Sequence, residues 1–315
     1  MFRKIKSFIA MQRLVYKQVQ EIRHYQLDDL KSAKINLGQI QAGLNNQKQF
    51  ISNLSEVEFQ VFSQWGDDGI IQYLINKIDI PHKTFIEFGV EDYRESNTRF
   101  LLINNNWTGY VIDGSSEHID FIKSDTISWA CELHAKASFI TRDNINDLLK
   151  IPGFNKEVGI LSIDIDGNDY WIWKAIDVIN PVIVIAEYNS LFGMNKAWTI
   201  PYDPTFVKYG KHHSIIYYGA SLRALYLLAR EKGYQFIGCN SKGNNAYFIR
   251  NDKIPGAIKP VTVEEGYVVS KFREAKIDGH RPMGRDRIKI LSGLEIFDVE
   301  KMQIERIDPD LVEYN

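Results

Sequence analysis

The chain has 315 residues, 44% of them apolar, enough to bury one large core or two small ones. Its 38 Lys and Arg nearly balance 40 Asp and Glu, which argues against a basic nucleic-acid-binding domain. Two widely separated cysteines, Cys131 and Cys239, speak against a disulfide framework or a zinc site, and with neither a secretory pattern nor an apolar run near membrane-spanning length the expected location is the cytoplasm.

Residues 1–55 stand apart as an N-terminal helical extension. They contain no Pro, and Phe8, Met11, Val15, Val19 and Ile22 recur at steps of three and four, which predicts an amphipathic helix. The first turns are basic, with Arg3, Lys4, Lys6, Arg13, Lys17 and Arg23 against Glu21 alone. Such a helix can lie on an anionic membrane surface, pack on the main domain, or pair two subunits of a homo-oligomer. The spacing continues through Leu27, Leu30, Ile35, Leu37, Ile40 and Leu44, so a helical hairpin or a longer helix is expected.

From Phe59 strands and helices alternate. Ile70, Ile71, Leu74 and Ile75 form a helix face that leads into the strand Thr84 to Val90. The end of a helix at Arg99 to Asn106 precedes the strand from Gly109, which stops at Asp113. A helix from His118 to Ser124 leads to an expected strand near Trp129 to Leu133, and a helix is expected from Asp143 to Lys150. The most apolar strand, Gly159 to Ile163, stops at Asp164; after a helix at Tyr170 to Val178, Val182 to Ala186 stops at Glu187. A helix from Ala220 to Lys232 is followed by a hairpin, Gln235 to Cys239 and Ala246 to Arg250. This alternation predicts an α/β domain over residues 56–255, its sheet mostly parallel with an antiparallel hairpin at the end. Residues 256–315 read as a C-terminal capping extension.

Four successive strands thus end in acids: Glu87, Asp113, Asp164 and Glu187. In an open α/β sheet that edge is where ligands bind. Gly89 follows Glu87 and lets a ligand approach where a Cβ would block it. Asp113 lies 24 residues beyond Gly89, close to the spacing at which an acid on the second strand meets a ribose diol. The turn Gly89-Val90-Glu91-Asp92 holds one glycine and two acids, which would repel a pyrophosphate but tolerate a sulfonium with an amino-acid tail. S-adenosylmethionine is the expected cofactor.

At this point the chain resembles a known family. Ser63-Gln64-Trp65-Gly66-Asp67-Asp68, Phe85-Ile86-Glu87-Phe88-Gly89, Ser96-Asn97-Thr98, Trp107-Thr108-Gly109 and Leu161-Ser162-Ile163-Asp164-Ile165-Asp166-Gly167 are similar to the signatures of the FkbM-type methyltransferases. The resemblance covers about residues 59 to 250. It implies the Rossmann-like class I methyltransferase fold and O-methylation of a sugar or related small-molecule hydroxyl. It also implies that Glu87, Gly89 and Asp113 hold the cofactor, that Gln64 and Asp68 close over it, and that Ser96 and Asn97 shape the first helix. This chain departs from the family pattern at Glu87-Phe88-Gly89-Val90-Glu91 and at Asn168-Asp169-Tyr170-Trp171.

Asp164 and Asp166 end one strand, and Glu187 and Asn189 end its neighbour. These hard oxygen ligands suit Mg²⁺ or another divalent cation, which would lower the pKa of a bound hydroxyl. Without a metal, Asp166 would cap the next helix and Glu187 would bond its loop. A general base is then needed, and His212 and His213 are the nearest candidates, beside the catalytic Asp164. Trp198, Tyr202-Asp203 and Tyr217-Tyr218 fall where this fold builds an acceptor pocket. Two other readings compete. Asp164-Ile165-Asp166 is also how many glycosyltransferases hold a metal and a nucleotide diphosphate. The fold can also serve as a non-catalytic scaffold, assembled through residues 1–55.

Overall fold

The computed structural model describes residues 2–314 except 152, 273, 274, 276–279 and 285; of residues 2–10, 21, 24, 27 and 28 it describes the backbone alone. The expectations for the side chains of Arg3, Lys4, Lys6, Phe8, Glu21 and Leu27 lie outside the described residues.

The main sheet contains β1 (Thr84–Phe88), β2 (Thr108–Asp113), β3 (Leu133–Ala137), β4 (Ile160–Ile163) and β5 (Ile183–Glu187). A two-residue strand, β6 (Trp198–Thr199), lies outside it, and β7 (Tyr234–Cys239) and β8 (Asn245–Arg250) complete it. The spatial order is β3-β2-β1-β4-β5-β8-β7. The first five strands are parallel, and β8 runs antiparallel to both β5 and β7. This is a Rossmann-like α/β arrangement, mostly parallel with a terminal antiparallel hairpin. The order reverses between β1 and β4, the switch point at which such sheets open a crevice.

The strands are apolar because both faces are covered. Ile86, Phe88, Leu161 and Ile163 face one helical layer, and Phe85, Val111, Ile160 and Ile183 face the other. Each such side chain contributes roughly 1.5–3 kcal/mol by leaving water. The helices of these layers are α2 (Asp67–Lys77), α3 (Arg99–Asn105), α4 (Ser116–Ser124), α5 (Ile127–Ala130), α6 (Ile145–Leu148), α7 (Asp169–Ala175) and, beyond the short α8 (Lys208–Lys211), α9 (Leu222–Glu231). The strand expected near Trp129 to Leu133 is displaced: Trp129 and Ala130 belong to α5, and pairing with β2 begins at Leu133. As an edge strand, β3 is largely exposed, so its sequence Leu-His-Ala-Lys-Ala carries no apolar run to betray it.

The N-terminal segment is one helix, α1 (Phe2–Asn46), not a hairpin. Its last third docks on the body. Gly38 lies so close to Val61 and Phe100 that a Cβ would stand 2.5 Å from Val61 Cγ2. Asn45 Nδ2 donates to Val57 O at 2.7 Å. Within residues 256–315, β9 (Glu295–Asp298) and β10 (Gln303–Arg306) build a second sheet with β6. That sheet shares a third core with the loop after β5, joining Phe192, Trp198, Phe206 and Tyr218 to Ile288, Leu291, Ile296 and Ile307. Among the described residues no helix is long and apolar enough to cross a membrane.

Candidate active site

A cavity of about 820 Å³ opens at the carboxyl edge of the parallel strands. Glu87, Asp113, Asp164 and Glu187 all line it, with Gly89, Gln64 and Asn97. Four neighbouring strands therefore deliver their acids to one concave surface.

Glu87 is buried and fully engaged. Its Oε1 accepts Asn97 N–H at 2.9 Å, and its Oε2 accepts Ser96 Oγ at 2.7 Å, Thr98 N–H at 3.1 Å and Thr98 Oγ1 at 2.5 Å. Burial pushes its pKa up, against the pull of these bonds. Its carboxylate thus shapes the turn that opens α3. Asn97 Nδ2 reaches across to Ser162 Oγ at 3.2 Å and ties that turn to β4.

Gly89 has φ +71°, and a Cβ there would stand 1.7 Å from the Asp164 carbonyl oxygen. Only glycine lets the ends of β1 and β4 come this close. Asp113 Oδ2 accepts Glu91 N–H at 2.8 Å, while Oδ1 accepts Ser115 N–H at 2.8 Å and meets His118 Nδ1 at 3.2 Å. The carboxylate is aligned by its own loops, and with three partners it keeps acceptor capacity while lining the cavity.

Asp164, Asp166 and Glu187 each offer an oxygen within 4.8 Å of the others. Asp169 builds the loop that carries the first two: its Oδ1 accepts Ile165 N–H at 2.8 Å and its Oδ2 accepts Gly167 N–H at 2.9 Å. Burial pushes Asp169 up to about 6. Asp164 is pushed well up by burial and by Asp166, and Glu187 by burial and by Asp164. Glu187 Oε2 is buried with no hydrogen-bond partner among the described residues. Lys208 Nζ stands 2.5 Å from Asp166 Oδ1 and 3.8 Å from the centre of the Tyr218 ring. Its side chain is only 10% exposed. The cluster is therefore an acid-rich pocket that the Lys208 ammonium faces.

Several expected site residues do not line the cavity, among them Asp68, Asn189, His212 and His213. Asp68 turns back into its own loop, where Oδ2 accepts Val61 N–H, Phe62 N–H, Ser63 N–H and Ser63 Oγ at 2.7–2.8 Å. There it organises the chain before α2. Asn189 is not placed as a metal ligand: Oδ1 accepts Leu191 N–H, and Nδ2 donates to Ile216 O and Tyr218 O. Its amide holds two loops together. His212 and His213 lie against each other with their rings tilted by 42°, and His212 Nδ1 lies 2.6 Å from Ser214 Oγ, so neither is placed at the cavity as the base. Trp198 is buried in the third core, Tyr202 lies under Arg142, and Tyr217 donates to Glu295 O. Phe206, Lys208, Tyr209 and Phe139 line the cavity in their place. Nothing local marks Phe206, Lys208 and Tyr209 in the sequence, because the loop from 201 to 219 is brought there by long-range contacts.

No family model and no curated protein matches the chain. Solved structures do. The N-terminal domain of EvdMO1, with SAH bound, aligns at 8% identity over 60% of this chain and 81% of its own, with a TM-score of 0.36. A S-adenosylmethionine-dependent methyltransferase from Clostridium acetobutylicum aligns at 11% identity over 58% and 90%, with a TM-score of 0.35. PKMT2 from Rickettsia typhi, in complex with AdoHcy, aligns at 13% identity over 59% and 52%, with a TM-score of 0.39. The fold assignment stands on the strand order of this chain.

Proposed function

We propose that this protein is a S-adenosylmethionine-dependent O-methyltransferase that modifies a hydroxyl of a carbohydrate or related small molecule. The observation that supports it most is the convergence of four strand-end acids on one cavity at the switch point of the sheet. A volume of about 820 Å³ suits a nucleoside cofactor together with a small acceptor. When bound, S-adenosylmethionine supplies an electrophilic methyl group on a sulfonium.

The chain's own residues do the rest. Asp113 accepts hydrogen bonds from the ribose hydroxyls. Gly89 leaves room for the cofactor against the ends of β1 and β4. Glu87 keeps the 96–98 turn in place beneath it. The acids repel phosphate and favour the cationic sulfonium. Glu187, with Oε2 unpartnered and its pKa raised by burial and by Asp164, accepts the proton of the attacking hydroxyl when ionised. Phe139 and Tyr209, both partly exposed at the cavity, suit stacking on a sugar face.

The donor set also fits a divalent cation. Three hard oxygens within 4.8 Å, one of them on the unpartnered Glu187, match Mg²⁺ or Ca²⁺ chemistry. Asp164, Asp166 and Glu187 would hold it, and it would lower the pKa of the acceptor hydroxyl. Lys208 would have to release Asp166. We infer a cytoplasmic setting, in keeping with Cys131 and Cys239 as free thiols.

Titration calorimetry with S-adenosylhomocysteine tests the reading. Micromolar binding is expected, weakened about tenfold or more in Asp113→Asn with an unchanged melting curve. Absence of binding overturns it, and binding of a UDP-sugar instead would move the protein to glycosyl transfer.

A further inference from the structure

We propose that α1 pairs in parallel with α1 of a second copy of this chain. Met11, Val15, Val19 and Ile22 are each more than half exposed, and so are Leu30, Leu37, Ile40 and Leu44. With Gln26 and Ala33 they form a single series: nine steps of three or four cover 33 residues, about 3.67 per step. That value is close to the 3.6-residue turn of the helix, so the stripe drifts only about 60° around it over roughly 50 Å.

The stripe faces away from the body. Gly38, Ala42 and Asn45 form the docked face. At 100° per residue the stripe lies about 140° around the helix from them. The helix is anchored by its other side and cannot fold the stripe back onto its own domain. On the order of 800 Å² per helix is available, the size of one side of a standard protein interface.

Two features favour a second helix over a lipid surface. Gln26 sits in the middle of the stripe and Asp29 at its edge, both exposed. An acid beside the apolar face opposes contact with an anionic bilayer. A polar residue within a helical seam instead fixes its register. The charges also match. Arg23 lies on one flank of the stripe and Asp29 on the other, and in a parallel pair opposite flanks meet across the seam. Arg13 and Lys17 lie on the far side of the helix, where they do not face the partner. This assignment does not depend on the methyl-transfer reading.

Light scattering on the full chain at tens of micromolar should give twice the 36.5 kDa chain mass. Val19→Glu with Leu37→Glu should give the monomer, with unchanged circular dichroism and unchanged S-adenosylhomocysteine binding. Ile22→Cys should form a cross-linked dimer under mild oxidation, beyond any given by Cys131 and Cys239 in the parent chain. A monomeric parent overturns the proposal, as does flotation of a monomer with phosphatidylserine vesicles that the double variant loses. A dimer that Ile22→Cys fails to cross-link overturns the parallel arrangement. None of these readouts of mass uses the cofactor, so failure here and failure of the methyltransferase reading are distinguishable.

Discussion

Asp68 offers the sharpest separation of scaffold from site. Alanine there removes the acceptor of three backbone N–H groups, those of Val61, Phe62 and Ser63. Val61 and Ser63 are buried, so no water replaces the carboxylate. An unsatisfied buried donor costs about 1–3 kcal/mol, which puts the loss near 4 kcal/mol for the two. Asparagine differs. It keeps an oxygen at the Oδ2 position but sets a donor amide where Oδ1 lacks a partner, at a cost of about 1–3 kcal/mol. It also removes a charge whose burial raises the Asp68 pKa to about 6. That shift of two units, already net of the hydrogen bonds to the charged carboxylate, is worth roughly 3 kcal/mol and offsets the unpaired amide. Urea unfolding at pH 7 should therefore place Asp68→Asn within about 1.5 kcal/mol of the parent and Asp68→Ala far below it. Titration with S-adenosylhomocysteine should give Asp68→Asn an affinity within about threefold of the parent. A stable Asp68→Asn that no longer binds would make Asp68 a cofactor contact and refute its assignment to the loop.

The buried acids also set a pH dependence. Asp68 and Asp169 both have pKa values of about 6 against 3.8 for a free carboxyl, so the folded state holds their protons more tightly. Stability is then highest below 3.8 for these groups and is lost as pH rises through about 6. Without ligand, the melting temperature should be higher at pH 5 than at pH 7.5; a rise across that interval would contradict the burial of these carboxyls. Gly89→Ala should destabilise the protein by about 3 kcal/mol or more, from its left-handed backbone and from overlap with the Asp164 carbonyl. A melting curve equal to that of the parent would show that β1 and β4 do not approach so closely. Lys208→Ala should tighten Mn²⁺ binding about tenfold or more by calorimetry, because a cation then meets Asp166 without a competing ammonium. Unchanged affinity would mean that lysine and metal do not share that carboxylate.

How much of this was legible in the chain follows from the range of the interactions. Apolar runs that stop at Glu87, Asp113, Asp164 and Glu187 are local patterns, and a strand buried on both faces must show them. Parallel connection through helices then puts those ends on one edge, so the shared cavity follows from the sequence alone. Gly89 is equally legible, since a glycine after a strand marks a close approach. The direction in which a side chain turns does not show in the apolar pattern. Asp68 and Asn189 occupy positions as suggestive as Asp113, yet loop amides capture them, and those amides are presented only once the loops have folded. His212 turns to Ser214 while Lys208, four residues earlier, reaches Asp166 from 42 residues away in the chain. The sequence thus determines where the sheet ends and which acids crowd its rim. Only the packing of the loop from 201 to 219 on residues 286–312 decides which cation answers them, because that choice is made between segments the chain itself keeps far apart.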